Sequence, residues 1–116
     1  MLPQRHRLKR KKDIERVFKN GRGFKEDFLI LKVVKNNLNY PRFAFIVSQK
    51  VSKKATLRNK IRRRLSELVR LKIKKIKKGI DGVLLAAPGL EEKDFWEIEK
   101  IINKIFAQAK ILKPED

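Results

Sequence analysis

The chain has 116 residues, room for one domain with a single modest core, and 41% of them are hydrophobic, which excludes a disordered basic tail. Lys and Arg number 32 against 13 acids, a formal charge of +19, so the compact state repels itself unless a polyanion offsets it. There is no cysteine, which excludes disulfides, thiolate zinc sites and cysteine nucleophiles.

Nucleic acid is the leading partner on charge alone. An anionic membrane surface is the alternative. It needs an amphipathic helix with exposed bulky apolar residues, and the apolar stripes here are all required for the core. No apolar run approaches the roughly 20 residues of a transmembrane helix, and the basic N-terminus lacks the apolar stretch of a signal peptide. A cytoplasmic chain with no membrane contact is expected. The charge is unevenly spread. Residues 91–116 carry a net −2, so residues 1–90 carry +21, which suggests one nucleic-acid face and one solvated face.

In chain order, residues 1–10 read as a flexible basic N-terminus. Ile14, Val17 and Phe18 follow helical spacing and predict a short helix over 11–20, with Asp13 near its positive end and Gly21 at a left-handed C-terminal position. Phe24 begins a possible edge strand. Residues 28–34 and 42–47 are β-rich runs, and the short connection with Asn36, Asn37, Asn39 and Pro41 predicts that the two form a hairpin. A polar loop with Lys50, Lys53 and Lys54 follows. A long helix is predicted over 56–76, capped by Thr56 and closed by Lys77, Lys78 and Gly79. The apolar run 82–87 reads as a buried central strand ended by Pro88. The last helix is predicted over 91–111, with Phe95, Ile98, Ile102, Ile105, Phe106 and Ala109 on one face. The order α-β-β-(β)-α-β-α, with a first strand at Phe24, gives an α+β sandwich of helices on one sheet.

An active site made by this chain alone is not expected. The one histidine, His6, lies in the basic N-terminus, and Glu91, Glu92 and Asp94 are explained as acids at a helix start rather than as a metal cluster. No phosphate-binding loop, dinucleotide fingerprint or Ser/His/Asp arrangement is present.

The stretch T-L-R-N-K-I-R-R-R-L-S-E-L, 56–68, carries the strongest signal. Leu57, Ile61 and Leu65 form one row four residues apart. The other rows are Arg58–Arg62, Asn59–Arg63 and Lys60–Arg64, with no acid until Glu67. Like charges at this spacing destabilise a helix by a few tenths of a kcal/mol per pair. A phosphate-binding helix explains them, since the arginine fork matches phosphate oxygens and Asn59 adds a neutral donor and acceptor.

The longer run V-S-Q-K-V-S-K-K-A-T-L-R-N-K-I-R-R-R-L-S-E-L, 47–68, resembles the protein subunit of bacterial ribonuclease P. Val47, Ser48, Lys50 and Ala55 match the loop and approach, and Arg58, Asn59, Ile61, Arg63 and Glu67 match the helix. V-F-K-N-G-R at 17–22, the G-V-L-L-A-A-P strand and the last helix with Phe95 and Trp96 extend the similarity over nearly the whole chain. Departures are Lys60 in place of an arginine, Ser52 where glycine is common, and Ile14 and Lys32 at two positions where the family has aromatics.

That resemblance implies a fold like the second domain of ribosomal protein S five, with a left-handed β-α-β crossover where the general rule is right-handed. It implies the protein component of an endoribonuclease that removes the 5′ leader of precursor tRNA, with the chemistry carried by the RNA subunit and its magnesium ions and no catalytic side chain, metal ligand or organic cofactor here. The RNA subunit would be bound by Lys50, Lys53, Lys54, Arg58, Asn59, Lys60, Arg62, Arg63 and Arg64. The leader would lie in a cleft with Arg10, Lys11, Ile14, Phe18 and Lys32. Partners are then the ribonuclease P RNA and precursor tRNA, with no obligate protein partner. A ribosomal or other structural RNA-binding protein is the alternative. A helix-turn-helix DNA regulator is disfavoured because strands flank the basic helix.

Overall fold

The computed structural model describes residues 2–114; Met1, and the acids Glu115 and Asp116 that enter the C-terminal charge, lie outside it. Helix α1 spans Lys11–Asn20, strands β1, β2 and β3 span Arg22–Glu26, Leu29–Lys35 and Arg42–Val47, helix α2 spans Ala55–Lys72, strand β4 spans Ile80–Ala86 and helix α3 spans Phe95–Ala109. The edge strand anticipated at Phe24 is β1, joined to β2 by the two-residue turn Asp27–Phe28.

The sheet order is β1-β2-β4-β3, with β4 antiparallel to β2 and parallel to β3. The expected hairpin between residues 28–34 and 42–47 is therefore wrong, because β4 lies between them. The physical reason is burial. Six of the seven residues of β4 are buried, on both faces, so it takes the central slot. The linker 36–41 has only to step across one intervening strand, about 10 Å. Asn36 fixes that step, since its Nδ2 donates to Ile80 O at 2.9 Å and to Asp81 Oδ1 at 2.7 Å. The parallel neighbours β3 and β4 are joined through α2, giving a β-α-β unit.

Helix ends depart from the sequence pattern where long-range contacts decide them. Helix α2 stops at Lys72 and tightens into a 3₁₀ turn, Ile73–Lys75, because Ile76 bridges to Leu112 and the Lys77 N–H donates to Ile111 O at 2.7 Å. Thr56 is inside α2, whose N-cap is Lys54 with no side-chain bond. Helix α3 starts later than expected because Asp94 and Glu97 form a capping box, after a separate 3₁₀ turn at Leu90–Glu92. Gly21 is extended (φ −78°), not left-handed; a Cβ there would lie 2.3 Å from Val17 O, so glycine is needed for space.

Helices α2 and α3 pack on one face of the sheet. Ile61, Leu65, Leu68, Ile98, Ile102, Ile105 and Phe106 meet Leu29, Leu31, Phe43 and Leu84 in the main core. Gly82 admits the Phe43 ring, which would come within 2.8 Å of an added Cβ and which stacks on Phe106. Helix α1 covers part of the other face, where Leu8, Val17 and Val83 form a smaller core with Ile14, Val34, Ala44, Ile46 and Leu85 against it. The N-terminal segment, expected as a flexible arm, packs along β3 instead. Leu2 and Leu8 are buried, the Leu8 N–H donates to Phe43 O at 2.8 Å, and the Leu2 N–H donates to Ser66 Oγ at 3.1 Å. The apolar pair in a basic segment explains this, as each side chain gains about 1.5–3 kcal/mol by leaving water.

Candidate nucleic-acid interface

Helix α1 covers only part of its sheet face. The cross-strand row Lys25–Ile30–Leu85–Ile46 lies beyond it, with Ile30, Leu85 and Ile46 half-buried. Phe18 stands at the margin, 37% exposed, and Lys32 Nζ sits 5.6 Å from its ring centre. Ile14 faces Ala44 and Ile46 across a groove. Arg10 and Lys11 are exposed at the start of α1, and Lys11 pairs weakly with Glu15 at 3.9 Å. The five residues named for the leader cleft thus lie on or beside one helix and its facing strand, with Arg10 and Lys11 exposed at the start of that helix.

The basic residues of α2 divide between two sides. Asn59, Arg62 and Arg63 line the same groove as Ile14 and Ile46. Asn59 Oδ1 accepts from Arg62 Nη2, which fixes that arginine along the groove wall. Arg64 turns the other way and donates to Lys93 O at 3.4 Å, and Lys60 shares its row. Arg58 is half-buried and donates to Ser52 O at 2.9 Å, so it braces the loop that carries the exposed Lys50, Lys53 and Lys54. The nine residues named for RNA-subunit binding are therefore not one surface.

The groove has a volume of about 540 Å³ and passes over the outer edge of β3. Arg7 and Lys9, of the R-L-K run that also matches the family, line it as well, although the sequence pattern assigned them to no site. The signal was available: Leu2 and Leu8 bracket the segment and bury themselves, which holds the basic residues between and beside them against β3.

The sequence also hid the fixture that holds α1 over the sheet. Asp81, at the start of β4, is 0% exposed. Arg42 Nε and Nη2 donate to its two oxygens at 2.9 and 2.7 Å, Arg16 Nη2 donates at 3.1 Å, and Asn36 donates at 2.7 Å. Burial pushes the Asp81 carboxyl up, but the bonds from Arg42, Asn36 and Arg16 outweigh it and hold it below the usual carboxylate range. The bonds to Asp81 raise Arg42 in turn. Arg42 also reaches Asp13 of α1 at 3.5 Å. A lone acid opening an apolar strand was the sequence signal for this network.

Two of the three acids weighed as a metal cluster have local roles. Glu91 accepts from the Gly89 N–H at 2.8 and 2.9 Å, and Asp94 caps α3. Among the described residues no group of three or more His, Cys, Asp or Glu could hold a metal ion. His6 Nδ1 lies 2.8 Å from Pro41 O and its ring meets Tyr40 edge-on, so it packs rather than faces the groove.

The Ribonuclease P family model matches residues 2–110. The chain belongs to the ribonuclease P protein family. The ribonuclease P protein component of Clostridioides difficile is 36% identical over 105 residues, covering 90% of this chain and 91% of that one. That of a Pseudanabaena species is 32% identical over 113 residues, covering 97% of each. The solved ribonuclease P protein of Thermotoga maritima superposes with a TM-score of 0.80 at 29% identity, covering 88% of this chain and 96% of that one. The mixed α+β fold of four strands and three helices is the fold of these proteins. A ribonuclease P protein component is part of an endoribonuclease holoenzyme, with the ribonuclease P RNA as its partner and a role in tRNA 5′ processing. Among the described residues no helix is long and apolar enough to cross a membrane.

Proposed function

We propose that this chain holds the single-stranded 5′ leader of precursor tRNA in the open strip beside α1, and the RNA subunit against the Asn59–Arg63 wall and the Lys50–Lys54 loop. The observation that carries this reading is the single groove that joins Ile14 and Ile46 to Asn59, Arg62 and Arg63 across the edge of β3. A strand leaving the RNA subunit's active centre can follow that groove without crossing the domain. Basic walls with an apolar floor suit a single strand bound with little sequence readout. The chain supplies binding and charge, and the RNA subunit with its magnesium ions supplies the chemistry. By screening the repulsion between two RNAs, a protein of +19 lowers the magnesium requirement. The reading places the protein in the cytoplasm, where a bacterial precursor tRNA is met.

Phe18 is the exposed aromatic beside this strip, while Ile14 and Lys32 stand at the other two positions and Phe43 is buried in the core. Lys32 over the Phe18 ring adds a cation that meets the phosphate beside a stacked base. Phe18→Ala is therefore expected to weaken binding of precursor tRNA by about 1–3 kcal/mol while leaving binding of mature tRNA unchanged. Comparing the two affinities with the assembled ribonucleoprotein checks this, and equal losses would remove the leader from this cleft.

The decisive experiment is reconstitution. A bacterial ribonuclease P RNA, precursor tRNA and the purified chain are combined over a magnesium series. Cleavage is expected at lower magnesium with the chain than without it, and none with the chain alone. The same magnesium midpoint in both arms would rule out the electrostatic role.

A further inference from the structure

A second groove, of about 670 Å³, lies at the other end of the sheet. Arg22 at the start of β1, Lys35 at the end of β2, Lys77 and Lys78 in the turn before β4, and Lys110 at the C-cap of α3 all line it. All five are exposed. No acid lines the groove, and among the described residues no ion pair ties any of the five to a carboxylate. Cations beside the C-terminus of a helix are favoured by its dipole, which accounts for Lys110 at the C-cap of α3. It does not account for Arg22 and Lys35, which two strands bring to the same rim. Four elements deliver unpaired charge to one concavity, and their mutual repulsion needs an anion to relieve it.

This groove is separate from the α2 wall described above. Helix α2 begins beyond the C-terminal end of β3, which runs parallel to β4, whereas the groove meets β4 at its first residue, Ile80. Seven strand residues separate the two ends by about 20 Å.

We propose that this groove is a second RNA-contact surface, which takes a phosphodiester strand of the ribonuclease P RNA at a point distant from the α2 wall. The proposal rests on the RNA partnership given above. A membrane surface fits poorly. Docking on lipid needs bulky apolar side chains to insert, and the exposed ones, Phe18, Phe28, Leu71 and Trp96, all lie outside this groove. Its apolar floor of Val33, Ile80 and Ile111 instead suits the ribose edges of a strand whose phosphates face the rim.

The test uses the full chain with Lys35→Gln, Lys77→Gln, Lys78→Gln and Lys110→Gln combined, bound to a bacterial ribonuclease P RNA over a salt series. Each lost phosphate contact reduces the slope of log K against log salt by about 0.7–0.9, so the quadruple variant is expected to be shallower by about 3. Its melting temperature should equal or exceed that of the parent, because removing exposed like charges relieves repulsion. Combining it with Arg63→Ala should add the two losses, as distant sites do. An unchanged slope would overturn the second surface while leaving the first intact. An equal loss of slope on duplex DNA of matched length would overturn its assignment to the ribonuclease P RNA. A parent chain with no salt-dependent affinity for that RNA would instead bring down the partnership on which the proposal rests.

Discussion

Asp81→Ala is expected to lower the stability of the protein by about 3–5 kcal/mol, the usual cost of removing one partner from a buried ion pair. The carboxylate is fully buried and accepts from three side chains, so its loss strands Arg42 and Arg16 together. A domain of this size has about 5–15 kcal/mol in hand, so the variant sits near the edge of folding at the lower end of that range. The midpoint of urea unfolding, with the slope unchanged, measures the loss. A shift smaller than that of an ordinary surface substitution would show that the network contributes no net stability.

The same carboxylate sets an acid limb. Its folded pKa lies below the unfolded value of about 3.9, so its stabilisation is complete above that pH and is lost as pH falls through the folded value. Glu67, held at about 2 by its bonds from Arg70, acts in the same direction below its ordinary 4.5. Stability should therefore be flat above about pH 5 and fall steeply below pH 4. In Asp81→Asn, the part of that fall due to Asp81 should vanish while the Glu67 part persists. Unfolding followed over this pH range in the parent and in Asp81→Asn separates the two. The network has a functional consequence too. Arg16 belongs to α1 and Arg42 to β3, so Asp81 fixes the two elements that would wall the proposed leader cleft relative to each other.

The elements were legible because each carries a local pattern. Alternating or continuous apolar runs marked β2, β3 and β4, and the row Leu57–Ile61–Leu65 marked α2. Pairing was not legible in the same way. A short linker after β2 favoured a hairpin locally, while the burial of β4 on both faces is a property of the whole sheet. Helix ends failed for a related reason, since Ile76 leaves the helix for a partner 36 positions away, Leu112. The site was half legible. Charge without acids between Arg58 and Arg64 pointed to the helix proposed to meet RNA, but periodicity alone did not reveal that Arg64 turns to the Lys93 carbonyl while Asn59, Arg62 and Arg63 turn to the groove. The N-terminal segment was missed because its charges suggested a free arm, and two leucines outweigh them once β3 offers an edge.

Arg63→Ala is expected to weaken assembly with the ribonuclease P RNA about 10- to 100-fold, the loss of one charge-assisted contact of about 1.5–3 kcal/mol. Arg63 is exposed and has no intramolecular partner among the described residues, so its removal should leave the melting temperature unchanged. Arg58→Ala should lose more. That side chain holds the Ser52 carbonyl as well, and without it Lys50, Lys53 and Lys54 lose their fixed position. Arg58→Lys keeps the charge but loses the fork, so it should recover the salt dependence of Arg58→Ala without recovering its full affinity. Filter binding of each variant to the RNA, with thermal melts alongside, separates contact from bracing. Equal losses for Arg58→Ala and Arg63→Ala would reduce Arg58 to a simple phosphate contact. Because Arg63 and Ile14 line one groove, and Phe18 lies one turn beyond Ile14 on α1, the double variant Arg63→Ala with Phe18→Ala carries a further expectation. Its loss on precursor tRNA should exceed the sum of the two single losses, since a strand released at one end of a shared groove is held less well at the other. Strict additivity would mean that leader and RNA subunit occupy this groove independently, and that its continuity across the edge of β3 has no energetic consequence.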